Sequence, residues 1–274
     1  MQVDEVELTL HAVDTQGRSV NDLKPDEIRI LDNDNPPRRI VSFYAVRDMP
    51  IRAGILIDTS SSMDTSMHSI RSIANEYAQK VLAQKTDQAF VMSFGKRVNT
   101  PQNWSNDPSA LVNAVNRTGV SYSATALFDA VYAACRYQFG KLPHDSSGNF
   151  IMLFSDGEED ASYLSLRSAV DMCQQTNTAI YAFRPESASI GLGNLSQLAN
   201  LTGGRVFRDG ASSAEIDEDL QLIQENLRNQ YRITYSPKEL RHDGSYHSVV
   251  ILPPERVALV TVRSGYYAPA SSSH

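Results

Sequence analysis

The 274-residue chain has 25 Lys and Arg against 32 Asp and Glu, giving a net charge of −7, and 41% of its residues are hydrophobic. It has no run of Lys and Arg, which argues against a nucleic-acid partner or an anionic membrane surface, and no apolar stretch approaches the roughly 20 residues of a membrane span. These features predict a soluble globular protein with one ordinary domain and a smaller one.

The first 47 residues contain three predicted strands. Residues 6–12 alternate apolar and polar side chains, which is typical of a half-buried strand, and residues 27–31 and 38–46 give two more. Asp, Asn and Pro fill the loop at 32–37, where proline prevents ladder hydrogen bonds. Because three strands cannot bury a core alone, we predict that residues 1–47 form half of a β-sandwich-like domain.

The stretch Ile51–Ser62, IRAGILIDTSSS, passes from an apolar run directly into acidic and hydroxyl side chains. The run predicts a buried parallel strand, and the carboxyl edge of such a sheet is where ligands bind. Asp58, Ser60 and Ser62 follow at alternate positions, and their oxygens suit Mg²⁺ or Ca²⁺ rather than zinc. The spacing predicts a site for a hard cation, although the same residues could instead cap the following helix.

Strands and helices alternate from residue 48 to residue 230. This pattern predicts an α/β domain with a three-layer, doubly wound and mostly parallel sheet. Further strands are predicted at 88–94, near 97, and at 150–154, 179–183 and 205–207. Helices are predicted at 66–83, 108–117, from about 126 through 134, at 195–201 and at 214–229.

Only two cysteines, Cys135 and Cys173, are present, too few and too far apart for a zinc site. Each falls about midway along a predicted helix. We expect two buried thiols that behave as small hydrophobic residues rather than a disulfide, although the sequence leaves the pairing open.

The β pattern returns in residues 231–268. Strands are predicted at 231–235, 246–252 and 257–262, separated by turn residues that include Ser236-Pro237 and Pro253-Pro254. Together with residues 1–47 they suffice for a β-sandwich-like domain, so we predict that the α/β domain is inserted into a split β domain. Residues 269–274 are predicted to be a disordered tail.

Two later loops extend the Asp-x-Ser-x-Ser pattern. Thr125 lies in a polar loop that enters a helix, and Asp156-Gly157 follows the strand at 150–154. The three segments together resemble the metal-ion-dependent adhesion site, or MIDAS, of the von Willebrand factor type A (VWA) family. The resemblance implies a Rossmann-like VWA fold for residues 48–230. It also implies that Mg²⁺, or Mn²⁺ or Ca²⁺, is held by Asp58, Ser60, Ser62, Thr125 and Asp156.

In the VWA family, an acidic side chain of a protein partner coordinates the bound ion. The resemblance therefore implies a non-enzymatic module for adhesion or protein binding. Candidate partner contacts are Tyr122, Ser123, Glu158 and Glu159. The tyrosine is included because aromatic side chains dominate interface energetics. One alternative is a structural or assembly scaffold in which the metal only stabilises the loops. Another is a Mg²⁺-dependent phosphoryl-transfer enzyme, which often carries an acidic residue where this chain has Ser60.

The flanking segments Leu23-Lys24-Pro25-Asp26-Glu27 and Arg263–Pro269 resemble a bacterial, acidobacterial-type subfamily of secreted VWA-related proteins. This resemblance implies an exported protein in an extracytoplasmic or cell-surface location. Met1 is followed by Gln2-Val3-Asp4-Glu5 rather than by a basic and apolar leader. We therefore expect any secretion signal to lie outside this sequence.

Overall fold

The computed structural model describes residues 5–143, 148–185, 188, 190–208 and 213–269. The chain divides into two compact units, and each is described by itself. One unit is Pro50–Gln224, and the other combines Met1–Met49 with Glu225–His274. Apart from Pro269, the predicted tail lies outside the described residues.

In chain order the strands are β1 (Val6–Val13), β2 (Arg29–Asp32), β3 (Arg39–Val46), β4 (Ile51–Asp58), β5 (Gln88–Phe94), β6 (Val98–Ser105), β7 (Gly148–Phe154), β8 (Thr178–Arg184), β9 (Val206–Arg208), β10 (Gln230–Ser236), β11 (Tyr246–Leu252), β12 (Leu259–Val262) and β13 (Gly265–Tyr267). The helices are α1 (Met67–Lys80), α2 (Pro108–Asn116), α3 (Leu127–Ala133), α4 (Leu166–Gln175), α5 (Leu192–Thr202) and α6 (Ser213–Arg228). Helix α3 continues as the π-helical segment Ala134–Gln138.

The 50–224 unit is built on a six-stranded sheet in the order β6-β5-β4-β7-β8-β9. All neighbours in it are parallel except β6, which pairs antiparallel with β5 at the edge. The prediction of a mostly parallel α/β sheet is therefore confirmed. Ile57 of β4 lies level with Phe154 of β7, and Asp58 lies level with Phe94 of β5. The loops after β4, β5 and β7 consequently begin at the same edge of the sheet.

The edge strand β6 differs from the prediction of a short piece near Arg97, because it extends over eight residues. Pro101 lies in its middle and lacks the N–H group that a ladder needs, so its sequence does not read as a strand. An edge position tolerates this residue, and the pairing with β5 shows two register shifts, between Ala89 and Val91 and between Val91 and Ser93.

Cys135 and Cys173 form a disulfide bond, so the expectation of two free thiols is wrong. Cys135 lies in the π-helical continuation of α3 and Cys173 lies in α4, and both side chains are fully buried. The packing of these helices brings their Cα atoms to 5.1 Å. Helical periodicity shows that each cysteine faces a core, but it does not show which other helix that cysteine meets.

The other unit contains two antiparallel sheets, as predicted for the terminal segments. The four-stranded sheet has the order β12-β1-β10-β3, and the three-stranded sheet has the order β13-β11-β2. Alternate residues of each sheet enter one shared hydrophobic core, including Leu8 and Leu10 of β1, Ile233 of β10 and Ile251 of β11. Strand β13 was not predicted, and it pairs with β11.

A buried polar network lies within this β unit and connects its two sheets. Asp32 of β2 accepts hydrogen bonds from the hydroxyls of Tyr235, at 2.8 Å, and Tyr266, at 2.7 Å. His247 Nδ1 lies 2.6 Å from the other Asp32 oxygen. Tyr235 belongs to the four-stranded sheet, whereas the other three residues belong to the three-stranded sheet. One buried carboxylate therefore serves partners from both layers.

Across the described ranges, no helix is both long enough and apolar enough to cross a membrane.

Candidate metal centre

The first loop of the candidate site follows β4 and keeps two of its three predicted ligands buried. Asp58 and Ser60 are 0% and 1% exposed, whereas Ser62 is exposed. The Ser60 N–H donates to Asp58 Oδ1 at 2.9 Å, and the hydroxyl oxygens of Ser60 and Ser62 are 3.1 Å apart. These contacts place the three side chains on one side of the loop.

The structure does not support the alternative in which this triplet only caps a helix. Ser60 precedes a short 3-10 turn, Ser61–Met63, but its side chain makes no capping hydrogen bond to that turn. Helix α1 begins later, with Ser66 as its N-cap residue. The hydroxyls of Ser60 and Ser62 are therefore not engaged by the helix that follows.

The second loop is hydrogen-bonded to the first. The Ser121 N–H donates to the Thr59 carbonyl at 2.7 Å, and the Ser61 N–H donates to the Ser123 carbonyl at 3.0 Å. Thr125, the fourth predicted ligand, is 3% exposed and lies just beyond these contacts. Backbone pairing thus keeps the two loops together although more than 60 residues separate them in sequence.

Asp160 connects the second loop to the third. Its Oδ1 accepts the Thr125 N–H at 2.7 Å. In return, the Thr125 carbonyl accepts the N–H groups of Asp160, at 3.1 Å, and Ala161, at 3.0 Å. Thr125 is consequently fixed by three hydrogen bonds to the loop that also carries Asp156.

Ser155 is a positioning residue that the sequence did not single out. Its hydroxyl donates to Asp58 Oδ2 at 2.6 Å and accepts the Gly157 N–H at 3.0 Å. It therefore orients the buried carboxylate of the first loop from the third loop. Asp156, next to it, is 6% exposed and accepts the N–H of Glu158 at 3.0 Å.

Two glycines allow the third loop to pack closely against the start of α5. Gly157 and Gly191 both have a φ of +84°, in the left-handed region. A Cβ atom at Gly157 would overlap the Gly191 carbonyl, and one at Gly191 would overlap the Asp156 carbonyl. Gly191 is thus required by this contact next to Asp156.

The donor set fits a hard divalent cation. Within the described ranges, no group of three or more His, Cys, Asp or Glu side chains could hold a metal. The predicted ligands on the three loops instead offer two carboxylates, Asp58 and Asp156, and three hydroxyls. Such oxygen ligands suit Mg²⁺, Mn²⁺ or Ca²⁺, because the carboxylates balance the double charge and the hydroxyls add none.

Burial, together with a smaller contribution from the nearby charge of Asp156, raises the pKa of Asp58 to about 6. Hydrogen bonds from Ser155 and Ser60 oppose this change without cancelling it. The ionised form of Asp58 is therefore destabilised in the absence of a cation.

We expect this carboxyl to make metal-stripped protein less stable as the pH rises. Because its pKa is raised in the folded state, its contribution is fully present below about pH 4 and lost as the pH passes 6. We compare the free energy of unfolding of the wild type with that of Asp58→Asn at each pH. The wild-type value minus the variant value should fall by about 2 kcal/mol between about pH 4 and pH 7.5. Urea titrations with chelator present measure this difference, and a difference independent of pH would contradict the prediction.

The predicted partner contacts differ in how their side chains are used. Tyr122 is 74% exposed, with its hydroxyl 3.4 Å from Asp64 Oδ1. Ser123 is half-buried and its hydroxyl accepts the Lys96 N–H at 3.0 Å. Glu158 is half-buried, and burial followed by repulsion from Asp156 raises the pKa of its carboxyl.

Glu159 holds its loop in place. Its two oxygens accept the N–H groups of Phe128, Ala161 and Ser162 and the Ser162 hydroxyl. A nearby residue that the sequence did not indicate is Tyr163, which is 94% exposed. Its N–H donates to Asp129 Oδ2, so the loop beneath this ring is also anchored.

Residues 54–225 match the family model of the von Willebrand factor type A domain, which is more than half of the chain. No curated protein sequence compared with this chain matches it.

Solved structures with the same fold cover different shares of the chain. A von Willebrand factor type A protein from Catenulispora acidiphila aligns with 99% of this chain and 74% of its own, at 13% identity and a TM-score of 0.54. The vWF domain of a type V pilus tip protein from Porphyromonas gingivalis aligns with 65% of this chain and 96% of its own, at 11% identity and a TM-score of 0.51.

Proximal thread matrix protein 1 of the mussel byssus, in a structure with a zinc-occupied MIDAS motif, aligns at 16% identity and a TM-score of 0.51. The alignment covers 66% of this chain and 48% of the mussel protein, so the chain spans about half the length of that protein. These likenesses show the fold.

Proposed function

We propose that this chain, which belongs to the von Willebrand factor type A domain family, is a binding module. It recognises an acidic side chain of a protein partner through a divalent cation. The observation that supports this proposal is that three loops at one sheet edge are hydrogen-bonded to one another and carry five oxygen-bearing side chains. They are Asp58, Ser60, Ser62, Thr125 and Asp156. A cation bound there would supply an electrophilic centre that a carboxylate from outside can complete.

The chain's own residues would prepare this centre before any partner arrives. Ser155 orients Asp58, and Asp160 fixes the backbone on either side of Thr125. Ser62 lies at the exposed end of the donor set, whereas Asp58 lies at its buried end. Preorganised ligands of this kind reduce the ordering cost of binding and leave one open side for the partner.

The exposed aromatic rings of Tyr122 and Tyr163 support a protein as the ligand. They lie on the second and third loops, the same loops that carry Thr125 and Asp156. Large rings with a polar end are enriched in protein interfaces. The pilus tip and byssus proteins that share the fold are consistent with a role in adhesion.

The disulfide supports the proposal that the protein works outside the cytoplasm. A bond between Cys135 and Cys173 forms and persists in oxidising compartments, such as the periplasm or the cell exterior. In the described part of the chain, the Ser60 and Ser62 hydroxyls contact each other rather than a histidine base, which supports a non-enzymatic role.

Calorimetric titration of metal-stripped protein with Mg²⁺, Mn²⁺ and Ca²⁺ tests the site. We expect one ion per chain in the wild type and a loss of affinity of about 100-fold or more in Asp156→Ala, because one of two charged ligands is removed. Asp64→Asn is the matched control, since it removes a carboxylate from the adjacent exposed turn. It should bind as the wild type does.

The outcomes separate the proposal from its alternatives. If folded Asp156→Ala binds the ion as tightly as the control does, the metal site is wrong. If the ion binds and raises the unfolding temperature, but acidic peptides bind equally with and without chelator, the scaffold alternative is favoured. Hydrolysis of a chromogenic phosphate ester that requires both Mg²⁺ and Asp58 would favour the phosphoryl-transfer alternative.

A further inference from the structure

A separate cleft of about 660 Å³ lies beside the loops of the candidate metal site. Part of its wall comes from those loops, through Thr59, Ser121 and Ser123. Three cationic residues, Lys96, Arg97 and Arg117, also line the cleft. Its volume is in the range of sites that hold a side chain or a short peptide segment.

The charge of this cleft is opposite to that of the chain. Although the net charge is −7, all three charged residues lining the cleft are basic, and all three are exposed. Among the described residues, no salt bridge engages Lys96, Arg97 or Arg117. The cleft therefore presents three cationic side chains to a bound anion.

The hydroxyl groups in the cleft are held in fixed positions. Ser121 Oγ lies 2.8 Å from both the Thr59 carbonyl and Ser123 Oγ, and the Lys96 N–H donates to Ser123 Oγ at 3.0 Å. Gly95 makes room for this arrangement, because a Cβ there would overlap the hydroxyls of Ser121 and Ser123. The wall is therefore ordered before ligand binding, which favours a specific contact over a diffuse one.

We propose that this cleft binds a second acidic side chain of the same protein partner whose first carboxylate is taken at the metal loops. This inference rests on the proposed function. Guanidinium groups pair with carboxylates through parallel hydrogen bonds, and the Lys96 ammonium adds a further donor. Because Thr59, Ser121 and Ser123 belong to both places, one acidic segment can reach both. Joining two weak contacts raises overall affinity through effective concentration.

A labelled tetraglutamate peptide tests the cleft by fluorescence anisotropy, with and without Mg²⁺. In chelator, we expect the double variant Arg97→Gln/Arg117→Gln to bind at least tenfold more weakly than the wild type. Lys85→Gln/Arg136→Gln is the matched control, since it removes the same charge from exposed residues outside the cleft. The control should bind as the wild type does, and thermal melts verify that each variant is folded.

The Mg²⁺ series separates this inference from the proposed function. Mg²⁺ should tighten binding in the wild type, and Asp156→Ala should lose that gain while keeping the affinity seen in chelator. If Asp156→Ala matters and the cleft variant does not, the cleft assignment is wrong and the metal proposal stands. If only the cleft variant matters, the metal proposal fails and with it the pairing of two carboxylates, whereas the binding of an acidic side chain in the cleft stands.

Competition at constant ionic strength tests the chemical class of ligand. We expect citrate to displace the peptide at lower concentration than inorganic phosphate does, because the cleft is assigned to carboxylates. Stronger displacement by phosphate would overturn that assignment. The single variant Lys96→Gln provides a second measurement, with an expected loss of several-fold, and an unchanged affinity in both cleft variants would overturn the proposal.

Discussion

Replacing both Cys135 and Cys173 with alanine is expected to lower the free energy of unfolding by about 4 kcal/mol. The bond closes a loop between positions 38 residues apart, and it restricts the unfolded chain over that distance. Both positions are fully buried in the core that α3 and α4 share with the sheet. Alanine avoids burying the two hydroxyls that serine would introduce.

Denaturant titrations with and without a reducing agent measure this effect. Reduced wild type should approach the stability of the double variant, whereas the double variant should not respond to the reductant. The variant therefore controls for any effect of the reagent itself. Equal unfolding midpoints for oxidised and reduced wild type, after thiol labelling shows that reduction is complete, would contradict the prediction.

Replacing Asp32 with alanine is expected to lower the free energy of unfolding of the β unit by about 3–5 kcal/mol. The carboxylate accepts from Tyr235 and Tyr266 and lies 2.6 Å from His247, and all four side chains are buried. Its removal would leave three polar groups in the core without this partner. An unpaired buried polar group costs far more than the net value of the hydrogen bond it loses.

Two further variants separate this mechanism from a general effect of losing an aspartate. Asp26→Ala, at an exposed position of the same unit, should change the stability by less than about 0.5 kcal/mol. Tyr235→Phe removes one donor and keeps the ring, so we expect a loss of about 1 kcal/mol. A loss for Asp32→Ala no larger than that for Tyr235→Phe would show that the network does not act as a unit.

Local patterns in the sequence predicted much of the fold. The apolar run of β5 and the alternation in β11 predicted strands with the same limits as those in the structure, 88–94 and 246–252. These patterns succeed because backbone periodicity determines which side chains face a core, and that information lies within a few neighbouring residues. The five proposed metal ligands stay a prediction, because a sequence motif marks loop positions but not the distances between side chains on different loops.

Contacts between distant segments required the tertiary structure. Ser155 meets Asp58 across 97 positions, and His247 meets Asp32 across 215. The disulfide and the basic cleft arise in the same way, from helices and loops that only the sheet order brings together.

By itself, the sequence determined most of the element types, the α/β class and the residues that end the strands at the candidate site. Only the tertiary structure decided which neighbours the buried cysteines, the buried carboxylates and the exposed cations of the cleft have. The physical reason is that periodicity specifies the buried face of an element, whereas packing specifies what that face meets.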